Sequence, residues 1–214
     1  MTAWMLWALV AATPTPIPEW QALDATTTTI LTREHVDDEM WSDLRKGKVL
    51  TQRRPVPDDK SGTRVAAFAI VRASAGEVFE VISDCERLPE FMPNFDRCTY
   101  VEPDDPLPSN ERWARQELTF GFRPMRVNIE MIQHNELFPP HRLTWRRVSG
   151  DTRYNEGYWR IVPVSDGVQF LVYDLLVDAG RAVPGWIQRI LTERDLPNVV
   201  DVVRERVEQG HAGQ

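Results

Sequence analysis

The sequence predicts an α+β domain in which a curved antiparallel sheet wraps around a long C-terminal helix. Three observations carry that prediction. Between residues 96 and 178 the chain reads as strand after strand with a turn signal between each pair. Ahead of them, Arg72 to Tyr100 reads as a strand end, a helix with an apolar stripe, a polar break, a proline-bounded turn and a new strand. The last stretch, from about Pro184 to Gln209, carries one broad apolar face at helical spacing.

The N-terminus opens with an apolar run, Trp4 to Ala12, ended by the Pro-rich TPTPIP. A membrane span needs roughly 20 apolar residues, so this run is too short. It fits the core of a short secretory signal with Val10-Ala11-Ala12 as a cleavage site, although no Lys or Arg precedes it. The alternatives are a misassigned start or a loosely packed tail. Residues 1–20 are accordingly expected to be a signal peptide or apolar tail, and 21–47 a linker plus an N-terminal helix. Residues 48–210 are expected to form the main domain. Thr32 is the expected cap of that first helix, Val36, Met40 and Leu44 its narrow apolar stripe, and Lys46-Gly47 its end. The helix is expected to dock on the main domain.

Val49 to Arg54 reads as a strand, Pro55 to Gly62 as a turn, and Thr63 to Arg72 as a strongly apolar strand. Ser74 is placed to cap a helix holding Val78, Phe79 and Ile82, which Asp84 breaks. A short helical piece holding Leu88, Phe91 and Met92 follows between Pro89 and Pro93. Strands are then expected over 96–102, 111–120, 124–133, 141–148, 153–163 and 167–178. Alternation gives their inner face: Val127, Ile129 and Met131; Leu143 and Trp145; Trp159 and Ile161; Leu171, Tyr173, Leu175 and Val177. In the final helix Trp186, Ile187, Ile190, Leu191, Val199, Val202, Val203 and Val207 form the apolar face, and Pro197 is expected to kink or divide it. A sheet wrapped around one helix leaves space between them, a natural ligand pocket.

Composition excludes some functions. The 214 residues carry a net charge of -7, which disfavours nucleic acid, since phosphate contacts need clustered Lys and Arg. Arg53-Arg54, Arg146-Arg147 and the charges from Asp201 to Arg206 read as solvated faces. His35, His134, His141 and His211 are scattered and form no metal motif; His134-Asn135-Glu136 reads as exposed turn chemistry. No phosphate loop and no nucleophile elbow appear. Cys85 and Cys98 flank the turn after the first core helix, and are either a disulfide in an exported protein or two small buried apolar residues.

Polar candidates inside the pocket are few. Arg115, Glu117, Arg126, Asn128 and Glu130 alternate with apolar neighbours and mostly face solvent. The register of WARQELTF leaves Arg115 and Glu117 open: either a cross-strand pair on the outer face, or an inward acid/base pair. Tyr173 on the inner face is either core or a donor to a ligand carbonyl. Trp113, Trp145, Trp159 and Trp186 are either core filling or the lining for a flat or polyprenyl ligand.

From Lys48 to Gln209 the chain resembles the START-like (SRPBCC) superfamily. This is the helix-grip group that includes coenzyme Q-binding START-domain proteins and polyketide cyclase/dehydrase-type proteins. The residues that carry the likeness are Ala73 to Phe79, Asp84 to Pro93, Gly157 to Pro163, Val177 to Gly180 and Val183 to Ile187. The resemblance implies a helix-grip (START-like) fold and a hydrophobic small molecule in the cavity: a lipid, a quinone or a polyketide-like compound. The residues expected to touch it are Leu88, Phe91, Met92, Trp145, Trp159, Tyr173, Trp186 and Ile190, with Leu88, Phe91 and Met92 at the entrance rim. No catalytic residue, metal or cofactor is expected, nor any nucleic acid. The leading expectation is a binder, carrier or sequestering protein, exported to the periplasm or beyond, with transient membrane contact; a cytoplasmic location is the alternative. The alternative function is an aromatase/cyclase-type enzyme. A third reading is an interaction module docking through the first helix.

Overall fold

The computed structural model describes residues 34, 36–122, 125–180 and 196–212. Helix α1 spans Asp38–Arg45, followed by strands β1 (Leu50–Arg54) and β2 (Thr63–Val71). Helix α2 covers Ala75–Ser83 and a 3₁₀ helix covers Cys85–Glu90. Strands β3 (Phe95–Val101), β4 (Glu111–Phe122), β5 (Met125–Phe138), β6 (Arg142–Gly150), β7 (Tyr154–Ser165) and β8 (Val168–Asp178) form the meander, and helix α3 covers Leu196–Ala212. All eight strands join one antiparallel sheet in the order β1-β2-β8-β7-β6-β5-β4-β3. The chain therefore has the α+β helix-grip architecture that its pattern predicts.

Strand β2 explains why one segment can be apolar at nearly every position. Its inner side chains Val65, Ala67, Ala69 and Val71 pack with Val200, Val203 and Val207 of α3 and Val78 and Phe79 of α2. The small alanines let the helix approach closely. Its outer side chains Ala66, Phe68 and Ile70 pack with Trp41 and Leu44 of α1 and with Phe170 and Val172 of β8. Both faces are covered, so no alternation survives. The docked first helix is thus the lid of a second core on the convex face.

The α1 cap differs from expectation. Asp37, not Thr32, accepts the Met40 N–H at 2.8 Å, and the helix starts at Asp38. Asp37 wins because its carboxylate sits three residues before a donor of the first turn and Asp38 and Glu39 follow it. Ser74 does cap α2, through a full capping box with Glu77. At the break after α2, the Tyr100 hydroxyl accepts the Cys85 N–H at 3.2 Å and donates to the Ser83 carbonyl at 2.9 Å. One side chain thereby serves both orphan backbone groups.

Two polar segments behave differently from their sequence reading. β5 continues through Phe138, so His134 is a buried strand residue on the convex face, its Nε2 2.5 Å from Glu111 Oε2. It is not exposed turn chemistry. Arg54 is also no solvated charge: with Glu34, Arg160, Tyr158, Arg64 and Asp174 it forms a buried ionic cluster under the segment that leads into α1. Burial pushes the Tyr158 phenol up to about 12, and the Glu34 carboxylate beside it adds to the shift. Pro197 is the second described residue of α3. The expected upstream part of that helix lies outside the described residues.

Candidate ligand cavity

Between the concave face of the sheet and the covering helices lies a cavity of about 150 Å³. One wall is Ile82 of α2 with Cys85 and Leu88 of the 3₁₀ helix, Met92 of the turn after it and Phe95 at the start of β3. Val199 and Val203 of α3 close the roof. The floor is the inner face of β4 to β8, including Leu118, Phe120, Ile129, Met131, Leu143, Leu175 and Val177. A disulfide joins Cys85 in the first wall to Cys98 on β3, with Cα atoms 5.4 Å apart. It ties the 3₁₀ helix to the edge of the sheet.

Three aromatic rings continue the floor. Tyr173 stacks on Trp145 with centroids 5.4 Å apart and lies tilted by 39° against Trp159 at 4.3 Å. The Trp145 indole lies over Gly157 on the neighbouring strand; a Cβ there would come within 2.6 Å of the ring and 2.0 Å of the Asp174 carbonyl oxygen. Only glycine admits that close approach. The Trp145 Nε1–H donates to Asn155 Oδ1 at 3.0 Å, and Gln133 Nε2 donates to the same oxygen at 2.8 Å. Gln116, Asn135, Thr152, Ser83 and Asn94 complete the polar lining. Among the described residues no charged side chain lines the cavity.

Residues 62–208 match the family model described as "Polyketide cyclase / dehydrase and lipid transport". The chain belongs to this family. No curated protein matches it in sequence. Solved structures similar to this START-like protein include the Zhui aromatase/cyclase from Streptomyces sp. R1128. It is 17% identical, with a TM-score of 0.56 over 68% of this chain and 93% of that one. A STAR-related lipid transfer protein from Xanthomonas axonopodis is 14% identical, with a TM-score of 0.60 over 75% and 94%. A START superfamily protein from Mycobacterium smegmatis is 24% identical, with a TM-score of 0.55 over 68% and 97%. Such likenesses speak to the fold, and a fold hosts many functions.

In this START-like protein the structure brings Leu88, Met92, Trp145, Trp159 and Tyr173 together around the cavity. Phe91 is not among them. Its ring lies 5.6 Å from the Arg206 guanidinium, on the side of the wall away from the cavity. Phe91 is the C-cap of the 3₁₀ helix, where the backbone leaves the helical path (φ -142°), while the Met92 N–H bonds back to the Leu88 carbonyl at 2.8 Å. Leu88 and Met92 therefore take the inward positions and Phe91 is turned out. Trp186 and Ile190 lie outside the described residues. Trp113 shares the outward parity of β4 and packs near His134, at 6.5 Å.

The register of β4 is settled by Leu118 and Phe120, which face the cavity with Gln116. Arg115 and Glu117 therefore point outward, Glu117 to Arg97 at 2.9 Å and Arg115 toward Glu130 at 3.6 Å. Of the polar candidates only Tyr173 faces in. Burial pushes its phenol well above the ordinary value, so at neutral pH it is a neutral donor. Sequence reasoning missed the amides. Their signal is present: Gln133 and Asn135 continue the inward parity of Ile129 and Met131, and Asn155 that of Trp159. Among the described residues no three metal-ligating side chains converge.

Proposed function

We propose that this protein binds and carries an uncharged, mostly apolar small molecule such as a lipid or a quinone. The observation that supports this is a cavity whose lining is aliphatic and aromatic, with neutral polar groups and no charged side chain among the described residues. An apolar body gains about 25 cal/mol for each Å² it buries there. A charge would lose its hydration without a counter-ion. A cavity of about 150 Å³ holds a benzene-sized body. The enclosed part of a larger ligand is then one ring or a short stretch of chain. The family description and the printed name of the Xanthomonas neighbour agree with a carrier role.

The test is native mass spectrometry of protein purified without detergent, followed by solvent extraction of whatever it carries. An empty protein whose melting temperature is unmoved by a panel of lipids and quinones overturns the reading.

An aromatase/cyclase-type reaction is favoured by one observation, the inward phenol of Tyr173 beside two indole rings. The outward Arg115 and Glu117 remove the acid/base pair such a reaction could have used. Turnover of a polyketide-like substrate that is abolished in Tyr173→Phe would favour this second reading.

We also propose that the chain is exported. The Cys85–Cys98 disulfide and the apolar run from Trp4 to Ala12 support an oxidising compartment. Cell fractionation combined with thiol alkylation before lysis checks it: cytoplasmic, freely alkylated protein would reverse the assignment.

A further inference from the structure

Resting on the reading of the cavity as a ligand site, we propose that it selects its ligand by an uncharged oxygen carried on a flat ring. The ring lies along the Trp145–Tyr173–Trp159 wall and the oxygen meets the Asn155, Thr152 and Tyr173 donors.

The orientation of Asn155 follows from chemistry. An indole N–H only donates, so the atom 3.0 Å from Trp145 Nε1 is the amide oxygen. Gln133 Nε2 also points at that oxygen, from 2.8 Å. Both lone pairs of Oδ1 are taken, and the Asn155 amino group is left with its donors and no partner among the described residues. The Trp145 and Gln133 bonds lock the amide, so it cannot flip to offer an oxygen instead.

Thr152 is the independent sign of a ligand. It is only 3% exposed, lines the cavity, and its hydroxyl has no hydrogen-bond partner among the described residues. A buried hydroxyl without a partner costs free energy that a bound oxygen would recover. The Tyr173 phenol, neutral and likewise facing the cavity, adds a further donor. Three donors and, among the described residues, no cation suit a carbonyl or hydroxyl oxygen. They do not suit a carboxylate or a phosphate, whose charge would stand unpaired. The aromatic wall, with Tyr173 stacked on Trp145 and tilted against Trp159, lines the cavity with rigid ring surface, which favours a flat ring over a flexible acyl chain.

Phenol, benzene and benzoate separate these properties, because they share one ring and differ in one substituent. Affinities are read by titration of ¹⁵N-labelled protein at neutral pH. Phenol is expected to bind about tenfold tighter than benzene, the worth of one good hydrogen bond. Benzoate is expected to bind weakest. In Thr152→Val the phenol advantage shrinks while benzene affinity is unchanged; in Asn155→Leu the phenol advantage disappears. Should Asn155→Leu fail to fold, Thr152→Val still decides, because its hydroxyl gives up no existing bond. Benzene binding as tightly as phenol, or benzoate binding tightest, overturns the selection by a neutral oxygen while leaving the cavity as a ligand site. Binding of none of the three removes the cavity reading itself.

Discussion

Glu34 holds the Arg54 guanidinium at 2.7 Å beneath the convex face of the sheet, and its backbone carbonyl accepts a second bond from the same group at 3.0 Å. Both side chains are buried, and Arg160 reaches the same carboxylate at 3.0 Å. The contact pins the segment entering α1 to β1 and β7, although neither residue belongs to an apolar pattern. Removing one partner of a buried pair leaves the other charge uncompensated. Glu34→Ala is therefore expected to cost about 3 kcal/mol in urea unfolding. Glu34→Ala with Arg54→Ala should lose less than the two single changes summed. A single-mutant loss below about 1 kcal/mol, the range of exposed pairs, would count against a structural role for this cluster.

The wall formed by the 3₁₀ helix is held by the Cys85–Cys98 bond across a sequence separation of 13. Loop-closure entropy for a ring of that size is worth about 3 kcal/mol. The double substitution Cys85→Ser with Cys98→Ser is expected to lose about that much stability, with the wall loosened before the sheet melts. Amide exchange should show the first loss of protection between Ser83 and Phe95. Uniform loss over the whole chain would mean that the bond stabilises the domain without specially restraining the wall.

Much of the architecture is legible because sheet faces impose a period of two. Leu171, Tyr173, Leu175 and Val177 sit at alternate positions and reach the same interior. The amide lining was harder to read because Gln133 and Asn135 carry the inward parity with the wrong polarity. A rule that equates polar with outward discards the residues a ligand site keeps. Arg115 and Glu117 were ambiguous until Leu118 and Phe120 fixed the register on the same strand. Glu34 and Arg54 had no local signal at all: they are 20 residues apart and meet only because α1 folds onto the sheet. Phe91 departs for a different reason: it lies just past the 3₁₀ helix, where the backbone leaves the helical path, so its spacing from Leu88 does not carry the face over.

Asp178 closes β8 with its carboxylate 2.5 Å from the Ser61 hydroxyl, which donates to it. That bond first, then the Gly180 N–H at 2.8 Å and the Arg153 guanidinium, hold its pKa below the usual 3.8, against the opposing effect of burial. A depressed folded pKa stabilises the native state above 3.8, and this stability is lost as pH falls through the depressed value. Ser61→Ala removes the leading cause, so the folded pKa rises toward 3.8 and acid unfolding begins at a higher pH. Circular dichroism followed from neutral pH downward checks the shift. An unchanged or lower acid midpoint would show that Ser61 does not set it.

Gly157 and Trp145 pair across β6 and β7, and the indole occupies the space where a side chain would start. Gly157→Ala places its methyl 2.0 Å from the Asp174 carbonyl oxygen and 2.6 Å from the Trp145 ring. The ring could swing away, but the carbonyl is backbone, so the strand itself must shift. Overpacking of this kind costs about 1–3 kcal/mol, and a backbone clash belongs at the upper end. The shift also moves Trp145 off the Asn155 oxygen, so the aromatic wall and its polar anchor fail together. Gly157→Ala is therefore expected to melt several degrees lower and to lose phenol binding more than Thr152→Val does. Thermal melts and the same titrations decide it. An alanine variant with wild-type stability and affinity would mean that the strand yields at that point without disturbing the cavity.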